Sequence, residues 1–325
     1  MNERFPTVGI IGAGQLARMT VTPAQALGVN LLLFAESSSD SGAQIAPHLV
    51  GDYRDLEALK GFAKGCDFVT FEHKLVPLAV IKGLEAAGVK VFPTSDSFQY
   101  SQNKALMRER LSQYPAPKWK VTQDGGDVFD FEIAVMVARS AHGQAVTWAP
   151  TQTIKSDGIC TSTISPAPNL SSELAERAQH LVLSIANDLA LIGVMAVEMF
   201  VKGGELFINE LAMHPHNSGL WTIEGAKTSQ FEQHLRAILD LPLGDPAMVS
   251  PYAVTGNILG ADKTDMYRPY LHLMARNPNL KFHQYKNEIR KGSNVGHVSV
   301  VGENLVELNE IISHARDYMS GEIDE

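Results

Sequence analysis

Along the first third of the chain, short apolar runs alternate with stretches of helical spacing. Thr7–Ile11, 29–34, Phe68–Phe71 and 89–92 read as buried strands, and Gln15–Leu27, 55–64 and 77–87 repeat apolar residues at helical intervals. Uniformly apolar strands separated by helices predict a parallel sheet covered on both faces. A further helix is predicted over 101–113, ending at Tyr114-Pro115-Ala116-Pro117.

Beyond Asp124-Gly125-Gly126-Asp127 the pattern changes. Strands are predicted at 132–140 and 145–149 around His142-Gly143, and at 194–201 and 206–211 around Lys202-Gly203-Gly204. A long helix at 171–190 and another at 228–239 accompany them, followed by apolar runs at Tyr252–Leu259, 280–285 and 295–300 and a closing helix over 303–318. Strand pairs mixed with helices after a parallel unit predict an α+β second domain.

Composition narrows the function classes. The 325 residues suit about two domains, and 45% apolar with 19% charged residues is the balance of a folded globular chain. Lys and Arg total 27 against 36 Asp and Glu, a net charge of −9, which argues against a nucleic-acid or anionic-membrane binder. Only Cys66 and Cys160 occur, so neither a disulfide framework nor a cysteine zinc site is expected. The N-terminal residues run straight into a strand without a signal-peptide pattern, and a soluble cytoplasmic protein is the expectation.

Candidate chemistry falls at two places. Gly9-Ile10-Ile11-Gly12-Ala13-Gly14-Gln15-Leu16-Ala17 joins a strand to a helix through close-set glycines, a turn that either cradles a phosphate or merely connects the elements. Glu36, after the second strand, stands where a dinucleotide-binding protein keeps its ribose acid, and Glu72 in Thr70-Phe71-Glu72-His73 lies at the carboxyl edge of the sheet. The second place is the apolar hairpin carrying Glu198 and Glu210, two acids whose burial calls for a compensating charge such as a divalent cation. A three-residue loop at Lys202-Gly203-Gly204 puts Glu198 and Glu210 on one face as diagonal neighbours, whereas a two-residue turn puts them on opposite faces. Asn217 in His214-Pro215-His216-Asn217-Ser218-Gly219 offers a third oxygen, while His214 and His216 alone make a poor zinc signature. Glu132 heads a strand, and Lys281, Lys286, Arg290 and Lys291 form a basic cluster, read as a solvated face or an anion site.

Several motifs together are more specific. Gly12-Ala13-Gly14-Gln15-Leu16-Ala17-Arg18-Met19, Thr70-Phe71-Glu72-His73, Ile208-Asn209-Glu210-Leu211-Ala212, His216-Asn217-Ser218-Gly219, Trp221-Thr222-Ile223 and Thr228-Ser229-Gln230-Phe231-Glu232-Gln233-His234 resemble the carboxyaminoimidazole ribonucleotide synthase family of ATP-grasp ligases. The resemblance extends to Gly296-His297-Val298. It implies an N-terminal parallel-sheet, Rossmann-like pre-ATP-grasp domain (1–117) and an α+β ATP-grasp domain (131–250), followed by a C-terminal subdomain (251–325). It also implies an ATP- and Mg2+-dependent carboxylation of aminoimidazole ribonucleotide by bicarbonate through carboxyphosphate, in a homodimer without nucleic-acid or membrane partners. On the matching positions, Glu198 and Glu210 would hold the metal, and Lys104, Glu132, Lys155, Asn209 and Glu210 would meet the nucleotide. Gly14, Gln15, Leu16, Glu72 and Arg290 would meet the ribonucleotide, with Asn217 and Arg290 acting at the reacting groups.

Departures from the family pattern fall on the chemistry. Between Lys120-Val121 and Phe131 the family carries most of a small central lobe, with a phosphate-binding lysine, a Gly-rich flap and the adenine-binding strand; here only residues 122–130 fill that interval, within a short replacement at 118–130. His214 and Leu220 replace a family arginine and histidine, Lys155 replaces a histidine, and Asn287, Ser293 and Asn294 replace basic residues near the retained Arg290. The alternatives are a catalytically impaired paralogue that binds a ribonucleotide or a protein partner, and a nicotinamide-dependent oxidoreductase, which leaves the two hairpin acids unexplained.

Overall fold

The apolar runs of the first third assemble as a parallel sheet in the computed structural model, which describes residues 4–115, 129–156, 159–261 and 265–323. β1 (Thr7–Ile11), β2 (Asn30–Ala35), β3 (His48–Val50) and β4 (Phe68–Phe71) lie in the order β3-β2-β1-β4. Their connections carry α1 (Gln15–Leu27) and α2 (Leu56–Ala63), and α3 (Leu78–Ala86), α4 (Ser95–Gln102) and α5 (Lys104–Arg110) follow. The strand expected at 89–92 is a single parallel bridge, Val69 to Val91. Pro93, lacking an N–H, cannot extend the ladder. The helix expected over 101–113 is broken at Asn103, whose side chain leaves the helical path and accepts from the Ala105 and Leu106 N–H groups, starting a new helix.

The second unit is one antiparallel sheet. β5 (Phe131–Arg139), β6 (Ala145–Thr147), β7 (Thr151–Ser156), β8 (Ile159–Ser165), β9 (Gly193–Lys202), β10 (Glu205–Ala212), β11 (Tyr252–Leu259), β12 (Lys281–Gln284) and β13 (Asn294–Gly302) are the nine strands among the described residues. Their order is β10-β9-β5-β7-β8-β11-β13-β12, with β6 on β5. The sequence pattern does not predict β7 and β8, whose alternation is carried by threonine and serine rather than by aliphatic residues. They join the hairpin half of the sheet to the C-terminal half.

Helices cover this sheet. α6 (Ser172–Asp188) packs Leu174, Ala178, Val182 and Ile185 into a core shared with Ile133, Val135, Val197 and Met199, and with Phe71 and Phe98 of the first unit. α7 (Thr222–Gly225) follows a 3-10 turn at Asn217–Gly219, and α9 (Pro269–Arg276) and α10 (Leu305–Ser320) complete the C-terminal part. Most of the interval 122–130 lies outside the described residues, but its borders are fixed on one hairpin. The Ile208 N–H donates to the Pro115 carbonyl (3.2 Å), the Asp130 N–H to the Val201 carbonyl (2.8 Å), and the Gly203 N–H to Asp130 Oδ2 (2.8 Å).

α8 (Gln230–Ile238) stands between the two sheets. Its Leu235 and Ile238 pack with Val8, Ile10 and Leu33 of the parallel sheet. His234 bridges both: the Val194 N–H donates to Nδ1 (3.1 Å), so Nε2 carries the proton and donates to Thr70 Oγ1 (2.8 Å). Burial, reinforced by His214, pushes the His234 ring down to about 3, so it is neutral in the fold. The unfolded histidine takes up a proton near pH 6.5 and the folded one does not. Its contribution to stability is therefore complete above pH 6.5 and falls by about 1.4 kcal/mol per unit as pH drops toward 3. In urea unfolding at pH 7.5 and 5.5, the loss of stability on acidification is expected to be smaller by roughly 1 kcal/mol in His234→Gln than in the wild type, the remainder coming from the other buried histidines, His214 and His216 among them.

Candidate active site

The glycine turn after β1 is occupied by the protein itself. Glu72, just past β4, is buried against the start of α1; the Leu16 and Ala17 N–H groups donate to Oε1 at 2.9 and 3.3 Å, and the Gly14 N–H donates to Oε2. The glycines give the carboxylate its space. A Cβ on Gly12 (φ +106°) would lie 2.8 Å from Glu72 Cβ, and one on Gly14 2.6 Å from Oε1. Burial raises the Glu72 carboxyl, opposed by the three donors. The turn thus uses its N–H groups at Gly14 and Leu16 on the protein's own carboxyl group, at the residues that the family resemblance implies face a ribonucleotide.

The hairpin acids meet by a route that neither loop alternative anticipates. The turn is the two-residue Gly203-Gly204, with Lys202 opposite Glu205 and φ of +57° and +77°, as a type I′ turn requires. That register alone would put Glu198 and Glu210 on opposite faces. A bulge at Asn209 shifts the pairing, so Ile208 faces Met199 but Glu210 faces Glu198 directly. Across β9 and β5, Glu198 pairs with Ala134, and Glu132, two residues earlier, shares its face. Lys155 lies two residues beyond Thr153, the partner of Glu132, on the same face.

Three lysines compensate the three acids. Lys155 Nζ lies 2.5 Å from Glu132 Oε2 and 3.9 Å from Glu198 Oε2. Lys74, from the loop after β4, pairs with Glu210 Oε1, and Lys104 reaches Glu210 Oε2 at 3.6 Å and Asn209 Oδ1 at 3.3 Å. Gln102 Nε2 holds the Lys74 loop by donating to the carbonyls of Lys74 (2.7 Å) and Val76 (2.6 Å). Burial raises the Glu198 carboxyl, and the nearby Lys155 charge only partly offsets it. Burial pushes Glu210 the same way, but its bond to Lys74 and the charges of Lys74 and Lys104 outweigh it and hold Glu210 below the usual range. Burial likewise works against the Lys155 charge, and its bond to Glu132 with the Glu198 charge outweighs it, raising the ammonium.

Asn217 caps this face from the 3-10 turn packed against β7, and its Oδ1 is buried without a hydrogen-bond partner. An orphaned amide oxygen on the residue after His216, which itself reaches Glu198, and two opposed carboxylates are donors of the kind that suit a hard divalent cation. His216 Nε2 approaches Glu198 Oε1 at 3.7 Å, but burial pushes the ring to about 4, so the contact is not an ion pair. Phe200, two residues beyond Glu198, stacks on Phe129 with centroids 4.1 Å apart. Arg290 stands apart from these contacts: its guanidinium pairs with Glu288, and its side chain is 73% exposed. Glu36 is also exposed, 3.9 Å from Arg54. Sequence reasoning misses Lys74 and weighs His216 only as half of a poor zinc signature. The signal for Lys74 is its place directly after Thr70-Phe71-Glu72-His73, at the edge where two buried acids need cations.

A parallel-sheet domain joined to an antiparallel sheet with opposed metal-type carboxylates is the architecture of an ATP-grasp ligase. Family models match in succession: the ribonucleotide synthetase preATP-grasp domain at residues 5–102, the ATP-grasp domain at 103–231 and the phosphoribosylaminoimidazole carboxylase C-terminal domain at 253–311. The N5-carboxyaminoimidazole ribonucleotide synthase of Mycobacterium tuberculosis is 37% identical, covering 97% of this chain and 88% of the relative. The crystal structure of N5-carboxyaminoimidazole ribonucleotide synthetase from Thermus thermophilus superposes with a TM-score of 0.88 at 26% identity over 98% of this chain and 99% of that one. The Aspergillus clavatus enzyme in complex with ADP and 5-aminoimidazole ribonucleotide gives 0.87 at 27% identity over 98% and 99%. The chain belongs to the N5-carboxyaminoimidazole ribonucleotide synthase family. The mycobacterial alignment spans 377 positions against the 325 residues here, so at least 377 − 325 = 52 positions have no counterpart in this chain.

Glu72→Ala would strip three buried backbone donors of their acceptor and is expected to cost about 3 kcal/mol in urea unfolding, whereas Glu72→Gln, which keeps an acceptor, should cost about 1 to 2 kcal/mol.

Proposed function

We propose that this chain is built for the family reaction, the ATP-driven carboxylation of aminoimidazole ribonucleotide by bicarbonate, with ADP and phosphate as the other products. The observation that carries this reading is the Glu198–Glu210 pair set face to face by the Asn209 bulge. Glu198, Glu210 and Asn217 would hold Mg2+. When bound, the cation spreads the negative charge that builds on the transferring phosphoryl group. Lys104, Asn209, Glu132 and Lys155 would orient the nucleotide, the two lysines as cations toward its phosphates. Gln15 and the turn at Gly14 and Leu16, kept rigid by Glu72, would border the ribonucleotide, with Arg290 swinging from Glu288 to its phosphate. A homodimer in the cytoplasm is the expected setting.

The alignment positions without counterpart fit a central lobe reduced to residues 118–130. Nine residues at 122–130 cannot supply both a phosphate flap and an adenine hinge. Removing one cation from a desolvated phosphate site costs about 3 kcal/mol, or roughly a hundredfold in rate. This favours a second reading, a paralogue of the same family with weak ATP binding that retains a ribonucleotide or partner-binding role.

Purified protein with an intact mass of 35.4 kDa is expected to release ADP only when both aminoimidazole ribonucleotide and bicarbonate are present. The rate should be at least about a hundredfold below that of the Thermus thermophilus enzyme, and Glu198→Gln should abolish it. No ADP release at any substrate concentration would leave the paralogue reading, and a rate equal to that enzyme's would mean that the shortened segment suffices.

A further inference from the structure

Among the described residues, the carboxylate face balances its charge internally. Glu132, Glu198 and Glu210 are met by Lys155, Lys74 and Lys104, each lysine within ion-pair distance of at least one acid. The Lys155 pairs are shielded from water, and Lys74 and Lys104 are half-buried. The Lys155 and Glu198 side chains are only 28% and 22% exposed, and the loop bearing Lys74 is fixed by two hydrogen bonds from Gln102. A divalent cation shared by Glu198 and Glu210 would enter a space bordered by two ammonium groups, and like charges at such separations repel strongly where water is scarce.

We propose that Lys74 and Lys155 are built-in counter-ions that compete with the divalent cation for Glu210 and Glu198. Metal entry then requires Lys74 to leave Glu210 and Lys155 to withdraw toward Glu132, which already holds it at 2.5 Å and gives it somewhere to go. Lys74 belongs to the parallel-sheet unit and Glu210 to the antiparallel one, so the exchange also releases a tie between the two. This proposal rests on the reading that Glu198 and Glu210 hold the metal.

The test is titration of the full chain with Mn2+, followed by electron paramagnetic resonance of the free ion, without nucleotide. Lys74→Met and Lys155→Met are each expected to tighten Mn2+ binding about tenfold, Lys155→Arg to leave it near wild type, and Glu198→Gln to weaken it at least about tenfold. Lys74 lies on an exposed loop, so its variant keeps the comparison valid if Lys155→Met fails to fold. Wild-type affinity in both methionine variants, with Glu198→Gln still weakening binding, would overturn the competition and leave the metal site standing. Unchanged Mn2+ binding after both Glu198→Gln and Glu210→Gln would remove the metal site itself.

Discussion

Two acids placed directly opposite each other on neighbouring strands repel, and among apolar residues neither can stay ionised without a cation close by. That demand organises the region around Glu198 and Glu210. Lys155 answers it from β7 in the same sheet, while Lys74 and Lys104 reach Glu210 from the loop after β4 and from the first turn of α5. Lys74 therefore comes from the parallel-sheet unit, and Lys104 from the helix that follows it. The charge balance of the hairpin and the seating of one unit on the other become a single problem, to which α8 and its neutral His234 supply the apolar part.

Glu72 meets the same electrostatic demand with different means. Its partners are backbone N–H groups at the start of α1, which cannot leave without unwinding the helix. Lysine side chains can swing away at the cost of a few torsions. The Glu72 carboxyl group is for that reason part of the architecture, holding the turn after β1 in shape, whereas Glu198 and Glu210 are paired with side chains alone. The His216 contact adds no charge to this balance, since burial keeps its ring neutral.

Element type is legible wherever apolar side chains carry the pattern, as in β1, α1, β4 and β9. It fails where polar residues carry it. The threonine-rich β7 and β8 leave no aliphatic alternation to read, and Asn103 breaks a helix by capping the next one rather than by any loss of helical spacing. The identity of the site acids is visible because a glutamate amid Val194-Met195-Ala196-Val197 calls for an explanation. Their relation is not, because it turns on one extra residue at Asn209, and a bulge depends on pairing across strands that a linear pattern does not contain. Lys74 escapes for a similar reason: its partner lies 136 residues away.

The hydrogen bonds at Pro115 and Asp130 have a consequence for how this family varies in size. Pro115 is held by Ile208, and Asp130 by Val201 and Gly203, so the described residues on either side of 116–128 are clamped to the same hairpin. With both attachment points fixed on one hairpin, the sheet itself sets no length for the chain that joins them. For an unstructured connection, doubling its length costs only about 0.6 kcal/mol of closure entropy, and a folded insertion repays its own ordering. The hairpin thus works as a socket, whose two grips, at Ile208 and at Val201 with Gly203, hold the strands in place whatever length of chain joins them.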